Sequence, residues 1–348
     1  MHKKIWIARI SAIFLATALA GCAAYYAGAP SPHYDGSRFF NPAPMPERGF
    51  TDFLRWQFTR EPAAWPERIV NPPLGKPPAR VDGDAMLMTM IGHASVLIQS
   101  GGLNVVTDPV WSDKVGPLGL VGPTRRRAPG VAFADLPKID AVVVSHNHYD
   151  HMDLPSLRML WERDRPKIVV PLGNDTILRD NIPGIEPIAV DWGNNVDLGG
   201  GARIIAAPVQ HWSQRGPFDR DKALWAGYLI DLPGGLIYFT GDTGLGTGWW
   251  VDETLKLAPR RIDVALLAIG SYLPRWFMTP AHIDPPEAIG IYRKFDARAA
   301  LGIHWGTFPL GDDGPEQARD ELVAAREQGG IPADAFRTLE PGEFWKVR

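Results

Sequence analysis

Apolar runs of three to six residues recur at 86–91, 95–98, 103–107, 139–144, 168–170, 204–207, 225–230, 236–240, 264–269 and 299–303, with Asp140 the one charged residue inside them. Runs this short and continuous predict strands covered on both faces rather than strands with one face in water. The Gly101-Gly102 pair before 103–107 marks a turn, so the first three runs predict a meander. Helical spacing appears at 154–165, through Leu154, Leu157, Leu160 and Trp161, at 286–295, which opens on proline, and at 315–328, which ends at Gly329-Gly330. Strands outnumber helices and helices recur in both halves. That pattern predicts an α/β (α+β) chain with two sheets packed together and helices outside. Ahead of the first run, residues 22–80 are rich in proline and aromatic residues with little periodicity, which predicts a tether and an extended arm before one catalytic unit at 81–348.

Composition adds limits. With 45% hydrophobic and 22% charged residues the chain is globular and able to bury a sizeable core. The 13 tryptophans fit either a large aromatic core or a surface that meets apolar material. Cys22 is the only cysteine, so neither an intramolecular disulfide nor a thiolate metal site can form, and a metal must be held by His and carboxylate. Cys22 also closes a distinctive segment. Lys3, Lys4 and Arg9 precede an apolar run that ends in Leu19-Ala20-Gly21-Cys22, and the 12 residues between Arg9 and Cys22 are too few to span a bilayer. This is the pattern of a signal sequence. Leu-Ala-Gly-Cys resembles the bacterial lipoprotein lipobox, which implies removal of residues 1–21, acylation of Cys22 and export to the cell envelope. Ala23 after the cysteine resembles proteins sorted to the periplasmic face of the outer membrane. Loss of Lys3, Lys4 and Arg9 with no acidic residue moves the formal charge from −3 to −6, which argues against a nucleic-acid partner. The short basic cluster Arg125-Arg126-Arg127 reads either as a solvated loop or as a landing site for anionic head groups.

The densest chemistry comes directly after the run 139–144, in Ser145-His146-Asn147-His148-Tyr149-Asp150-His151. Three imidazoles and a carboxylate within six residues are a set that Zn²⁺ accepts when thiolate is absent. Four ligands from one segment would fill one tetrahedral site and leave no room for substrate, so two partly filled sites are expected. The remaining ligands should then also come just after strands. His211 comes after 204–207, Asp242 after 236–240 and His304 after 299–303. Of the nine histidines, His2 falls in the signal segment and only His33, His93 and His282 are left over.

His146-Asn147-His148-Tyr149-Asp150-His151 resembles the HxHxDH motif of the metallo-β-lactamase fold, and His211, Asp242 and His304 match its remaining ligands. The resemblance implies a four-layer αββα sandwich with metals at the edge of the two sheets. The segments 136–151, Pro208 to Trp212, Phe239 to Gly244, Pro274 to Met278 and Ile303 to Phe308 narrow it further. They look like the phospholipase D group that hydrolyses N-acylphosphatidylethanolamine. By that resemblance two Zn²⁺ ions, with Mn²⁺ or Fe²⁺ also compatible, would be held by His146, His148 and His211 on one side and by Asp150, His151 and His304 on the other, with Asp242 bridging. Asp150 and His282 would be catalytic, and Tyr149 and His282 would contact substrate. For His282 the choice stays open between assisting the leaving group and orienting a loop. His93 is expected near the metals as a support. Trp276, Phe277 and the aromatic arm line an acyl-chain groove or simply fill core. The expected activity is hydrolysis of N-acylphosphatidylethanolamine-like phospholipids to phosphatidic acid and N-acylethanolamine, the partners being a phospholipid substrate and the membrane. The competing readings are a hydrolase of a lactone or soluble phosphodiester on the same fold, and a metal-stabilised envelope lipoprotein without turnover. Oligomeric state is left open.

Overall fold

A computed structural model describes residues 25–46, 48–72 and 75–347, so Cys22 and segment 1–21 lie outside the described residues. Within them the strands form two seven-stranded sheets. The first holds β1 (Met86–Gly92), β2 (Ser95–Ser100), β3 (Leu103–Thr107), β4 (Ala141–Val143), β5 (Lys167–Pro171) and β6 (Pro187–Val190) in chain order, with β14 (Phe344–Lys346) added beside β1. The second runs β7 (Asn195–Gly199), β8 (Ala202–Ala207), β9 (Gly227–Leu232), β10 (Gly235–Phe239), β11 (Val264–Ala268), β12 (Ala299–Ile303) and β13 (Phe336–Thr338).

Side-chain alternation explains the unbroken apolar runs. Val105, Ala141, Val143 and Val169 point toward the opposing sheet, where they meet Ile204, Ile237, Phe239, Leu266 and Leu301. Their neighbours Val106, Val142, Val144, Ile168 and Val170 point outward, onto Leu157, Leu160 and Trp161 of α2 (Leu154–Asp164) and Ile177 and Leu178 of α3 (Asn174–Asn181). The second sheet does the same. Leu236, Tyr238, Ala265 and Leu267 face Trp250 of α4 (Trp249–Leu257), Ile289 and Phe295 of α6 (Pro285–Phe295) and Leu322 of α7 (Gln317–Gln328), with the short α5 (Arg275–Met278) ahead of α6. Three apolar layers thus separate four structural layers, the αββα sandwich that the resemblance implies. No described helix is long and apolar enough to cross a membrane.

The arm before β1 is docked. Tyr34 and Phe39 are each 2% exposed within the helix-side core of the second sheet. The His33 ring stacks on Trp192 at 4.3 Å while its Nε2 meets Asp191 at 2.7 Å. Among its described residues the one helix, α1 (Phe50–Thr59), buries Trp56, whose indole N–H donates to Asp312 at 3.2 Å. Phe50, Phe53 and Phe58 of that helix are exposed, so its apolar spacing is not the signature of a core-facing stripe.

Candidate metal centre

Strand direction brings the site together. In the first sheet β1, β3, β4, β5 and β6 run the same way, because β2 is antiparallel to both β1 and β3 and the rest of that series is parallel. In the second, β8 and β10 agree across the antiparallel β9, and β11 and β12 continue β10 in parallel. The residues leaving the C-terminal ends of these strands therefore share one edge of each sheet. His93 leaves β1, Asp108 leaves β3 and the 145–151 segment leaves β4, while His211, Asp242 and His304 come after β8, β10 and β12.

All seven expected ligands converge there. His146, His148 and His211 form one group of donor atoms that lie within 4.8 Å of each other, and Asp150, His151 and His304, with His93, form another. Asp242 sits between them. Its Oδ2 is 3.1 Å from His151 Nε2 and 4.0 Å from His211 Nε2, and its Oδ1 is 3.2 Å from His304 Nε2. Within the first group His148 Nδ1 is 2.8 Å from His146 Nε2 and 3.3 Å from His211 Nε2. In the second, His151 Nε2 and His304 Nε2 are 3.2 Å apart, and Asp150 Oδ2 lies 3.3 Å and 3.4 Å from them.

The surrounding hydrogen bonds fix which nitrogens face inward. Asp108, fully buried, accepts from His151 Nδ1 at 2.6 Å and from the Ser145 hydroxyl at 2.6 Å. With its proton committed to Asp108, the Ser145 oxygen can only accept from His146 Nδ1, 2.9 Å away. His211 Nδ1 donates to the Ala281 carbonyl at 3.2 Å. His146, His151 and His211 therefore all turn bare Nε2 lone pairs toward the centre. His93 Nε2 donates to Asp150 Oδ2 at 3.0 Å and leaves the other lone pairs of that carboxylate free. Bare nitrogens facing one another at these distances repel unless a cation lies among them, and tetrahedral Zn–N bonds of about 2.0–2.1 Å put neighbouring nitrogens roughly 3.3 Å apart. The buried Asp242 Oδ1 makes no hydrogen bond and is aimed into the same space. The residues fit metal ions.

Electrostatics divide the site. In the second group Asp242, Asp150 and Asp108 outweigh burial and raise the pKa of His151 well above the ordinary imidazole value, so that cluster favours a positive charge among its carboxylates, whereas the first group is neutral. Burial lowers the pKa of His146 and His211 well below the ordinary imidazole value and that of His148 to about 3, which keeps their lone pairs available. Burial opposes charge on Asp150 and Asp242 too, but the neighbouring histidines, His151 foremost, outweigh it and hold both carboxyls well below their usual range. Backbone strain concentrates here as well. His93, Asp108 and His304 take φ of 56°, 29° and 66°, a left-handed region that costs side-chain-bearing residues about 1–3 kcal/mol each and persists where surrounding structure imposes it.

Three further features stand out in the sequence. His282 lies beside the centre, with Nδ1 unpartnered and 3.8 Å from Asp242 Oδ2. Its loop is rigid, because Asp284 and Glu287 cap α6 reciprocally and Arg275 donates both to the His282 carbonyl and to Glu287. Tyr149 donates its hydroxyl to the Arg215 carbonyl at 2.8 Å. The cluster at 125–127 is neither a solvated loop nor a head-group site. Arg125 and Arg127 are 8% and 3% exposed, Arg125 donating to the Val110 and Ser112 carbonyls and Arg127 pairing with Glu340. Asp108 is not among the residues expected from the sequence, although it comes directly after an apolar strand, as His304 does.

A family model described as the beta-lactamase superfamily domain matches residues 103–305, a span that starts at β3 and includes all seven expected ligands. The chain belongs to the beta-lactamase superfamily. This superfamily member is a metal-dependent hydrolase of the metallo-β-lactamase fold. It is 36% identical over 274 residues to the N-acyl-phosphatidylethanolamine-hydrolyzing phospholipase D 1 of Caenorhabditis elegans, covering 75% of this chain and 76% of that one. It is 33% identical over 251 residues to the mitochondrial N-acyl-phosphatidylethanolamine-hydrolyzing phospholipase D of Saccharomyces cerevisiae, covering 70% of this chain and 52% of that one. Among solved structures, a metallo hydrolase from the archaeon Ignicoccus hospitalis superposes with a TM-score of 0.55 at 22% identity, over 75% of this chain and 98% of that one, and shares the superfamily fold.

Proposed function

We propose that this hydrolase is a phosphodiesterase of the phospholipase D type, cleaving N-acylphosphatidylethanolamine-like phospholipids to phosphatidic acid and N-acylethanolamine. The observation that carries the reading is 36% identity to the C. elegans enzyme over three-quarters of both chains, together with the convergence of seven donor residues on one edge. His146, His148 and His211 would hold one ion and Asp150, His151 and His304 a second, with Asp242 shared between them. Zn²⁺ suits the donors, and Mn²⁺ and Fe²⁺ accept the same set. When bound, two such ions supply Lewis acidity toward a phosphoryl oxygen and lower the pKa of water.

The protein's own part is orientation. In the overall reaction water adds at phosphorus, the bond to the N-acylethanolamine oxygen breaks, and that oxygen ends protonated. Asp108 holds the tautomers of His146 and His151, and His93 holds Asp150, so the ligand geometry is set before substrate arrives. His282 has a buried, unpartnered nitrogen beside Asp242 and is assigned to grip the substrate or assist the leaving oxygen. The proposal includes the cellular setting. Residues 1–21 are removed, acylated Cys22 anchors the protein in the cell envelope, at the periplasmic face of the outer membrane, and the substrate comes from that membrane.

The test is a substrate panel on purified protein. Release of phosphatidic acid from N-acylphosphatidylethanolamine that disappears with chelator and returns with Zn²⁺ is the expected result. Turnover of lactones without phosphodiesters, or no hydrolysis by protein carrying two metals per chain, overturns it. Radiolabelled fatty acid should enter the wild type and not Cys22→Ser; equal labelling refutes the anchor.

A further inference from the structure

The loop that carries four of the seven assigned ligands is short and irregular, and its own backbone bonds are few. The His148 carbonyl accepts from the N–H groups of His151 and Met152, which makes one turn and leaves the loop's two ends to be held by something else. One side chain holds them. Arg215 Nη1 donates to the Asn147 carbonyl at 2.8 Å and to the Met152 carbonyl at 2.9 Å, so a single nitrogen spans the segment containing His148, Asp150 and His151. The guanidinium lies over the Tyr149 ring at 4.0 Å, and the Tyr149 hydroxyl donates back to the Arg215 carbonyl at 2.8 Å. Arginine and loop therefore grip each other by two separate contacts.

Arg215 is anchored in turn. Both oxygens of the buried Asp219 accept from its backbone N–H, at 3.1 Å and 3.3 Å, and one also accepts from Gly216 N–H at 2.8 Å. The other oxygen accepts from the Tyr25 hydroxyl at 2.9 Å, and the Tyr25 carbonyl accepts from Thr176 Oγ1 at 2.9 Å. Arg215 also stands four residues beyond His211, so the element that supplies the third ligand of one group presses on the loop that supplies the other two.

We infer that Arg215 is a positioning residue that draws the ends of the 147–152 loop together and thereby sets the spacing of His148, Asp150 and His151 for both ions. The inference rests on the ligand assignment proposed above. A guanidinium offers two hydrogens on one nitrogen in a fixed plane, whereas an ammonium is a point charge on a flexible stem, so lysine should substitute only in part.

Arg215→Ala, Arg215→Lys and, as a control, Arg163→Ala separate this role from general loop support, because Arg163 also donates to loop carbonyls, those of Phe133 and Pro137, on α2 away from the centre. Each protein is loaded with Zn²⁺ and titrated with a competing chelator, then loaded with Co²⁺ for its visible spectrum. Supports of metal ligands typically cost 10–100-fold in metal affinity when removed, so Arg215→Ala should weaken retention by about 10–100-fold and alter the Co²⁺ bands. Arg215→Lys should fall between, with kcat reduced more than KM changes, and Arg163→Ala should match the wild type. Wild-type retention and spectrum in Arg215→Ala overturn the inference, and so does an equal loss in Arg163→Ala. Should Arg215→Ala fail to fold, Arg215→Lys decides by the same two readings. Absence of phosphodiester turnover in the wild type would end the functional reading alone, because metal retention is measured without substrate.

Discussion

The two sheets supply the metal centre in different ways. The first delivers four donors in one run, His146 to His151, from the end of the single strand β4. The second delivers three, His211, Asp242 and His304, one from each of three strands that share a direction. A run of ligands depends on one loop being held in shape. Single ligands depend on the sheet itself, which fixes the separation of their strands. The first arrangement is dense in sequence and needs outside support from Asp108, His93 and Arg215, while the second is dispersed in sequence and rests on strand pairing.

This contrast can be tested where its predictions are strongest. Asp242→Ala removes the one donor assigned to both ions and should cost on the order of 10⁴-fold in kcat/KM, since metal stabilisation of developing charge is worth several kcal/mol. Metal analysis should find well under two ions per chain, and a retained full complement would refute the bridge. Next, His211→Ala and His304→Ala should each remove a different ion and lose activity by about 10³-fold. Should both variants lose the same ion, the division into two groups is wrong. His282→Ala should keep both metals and lower kcat by about 10²-fold, the scale of general acid–base assistance. An unchanged rate at saturating substrate leaves His282 as a loop residue only. Asp108→Asn keeps the shape but not the charge that fixes two imidazole tautomers. It should reduce activity by about tenfold or more and broaden the Co²⁺ spectrum at both sites, although Asp108 lies on the first sheet alone.

Legibility in the sequence tracks burial. β3 and β12 end at the same residues as the apolar runs 103–107 and 299–303, because both of their faces are covered. The edge strand β7, Asn-Val-Asp-Leu-Gly, buries only Val196, and the three-residue β13 and β14 are too short to stand out. Helix α1 is hard to see in the sequence because its one buried residue is Trp56 and its phenylalanines face solvent. At the site, the 146–151 run is conspicuous, and the later ligands are legible as polar residues placed soon after the ends of apolar strands. Asp108 meets the same criterion, immediately after 103–107. Arg125 and Arg127 could not be read from charge alone, since their partners, the Val110 and Ser112 carbonyls and Glu340, become neighbours only through the fold. Of the tryptophans, Trp225 and Trp250 are buried in the core, while Trp276 is exposed beneath the Arg55 guanidinium.

The pairing of β14 with β1, Leu87 against Lys346 and Thr89 against Phe344, joins the first and the last of the described strands. During synthesis on a ribosome the N-terminal strands emerge first, and β1 must wait with one edge open until residues 344–346 have been made. An open edge invites pairing with another chain. Residues 344–346 close that edge from within the same chain, so the strand made last among those described is the one that covers β1.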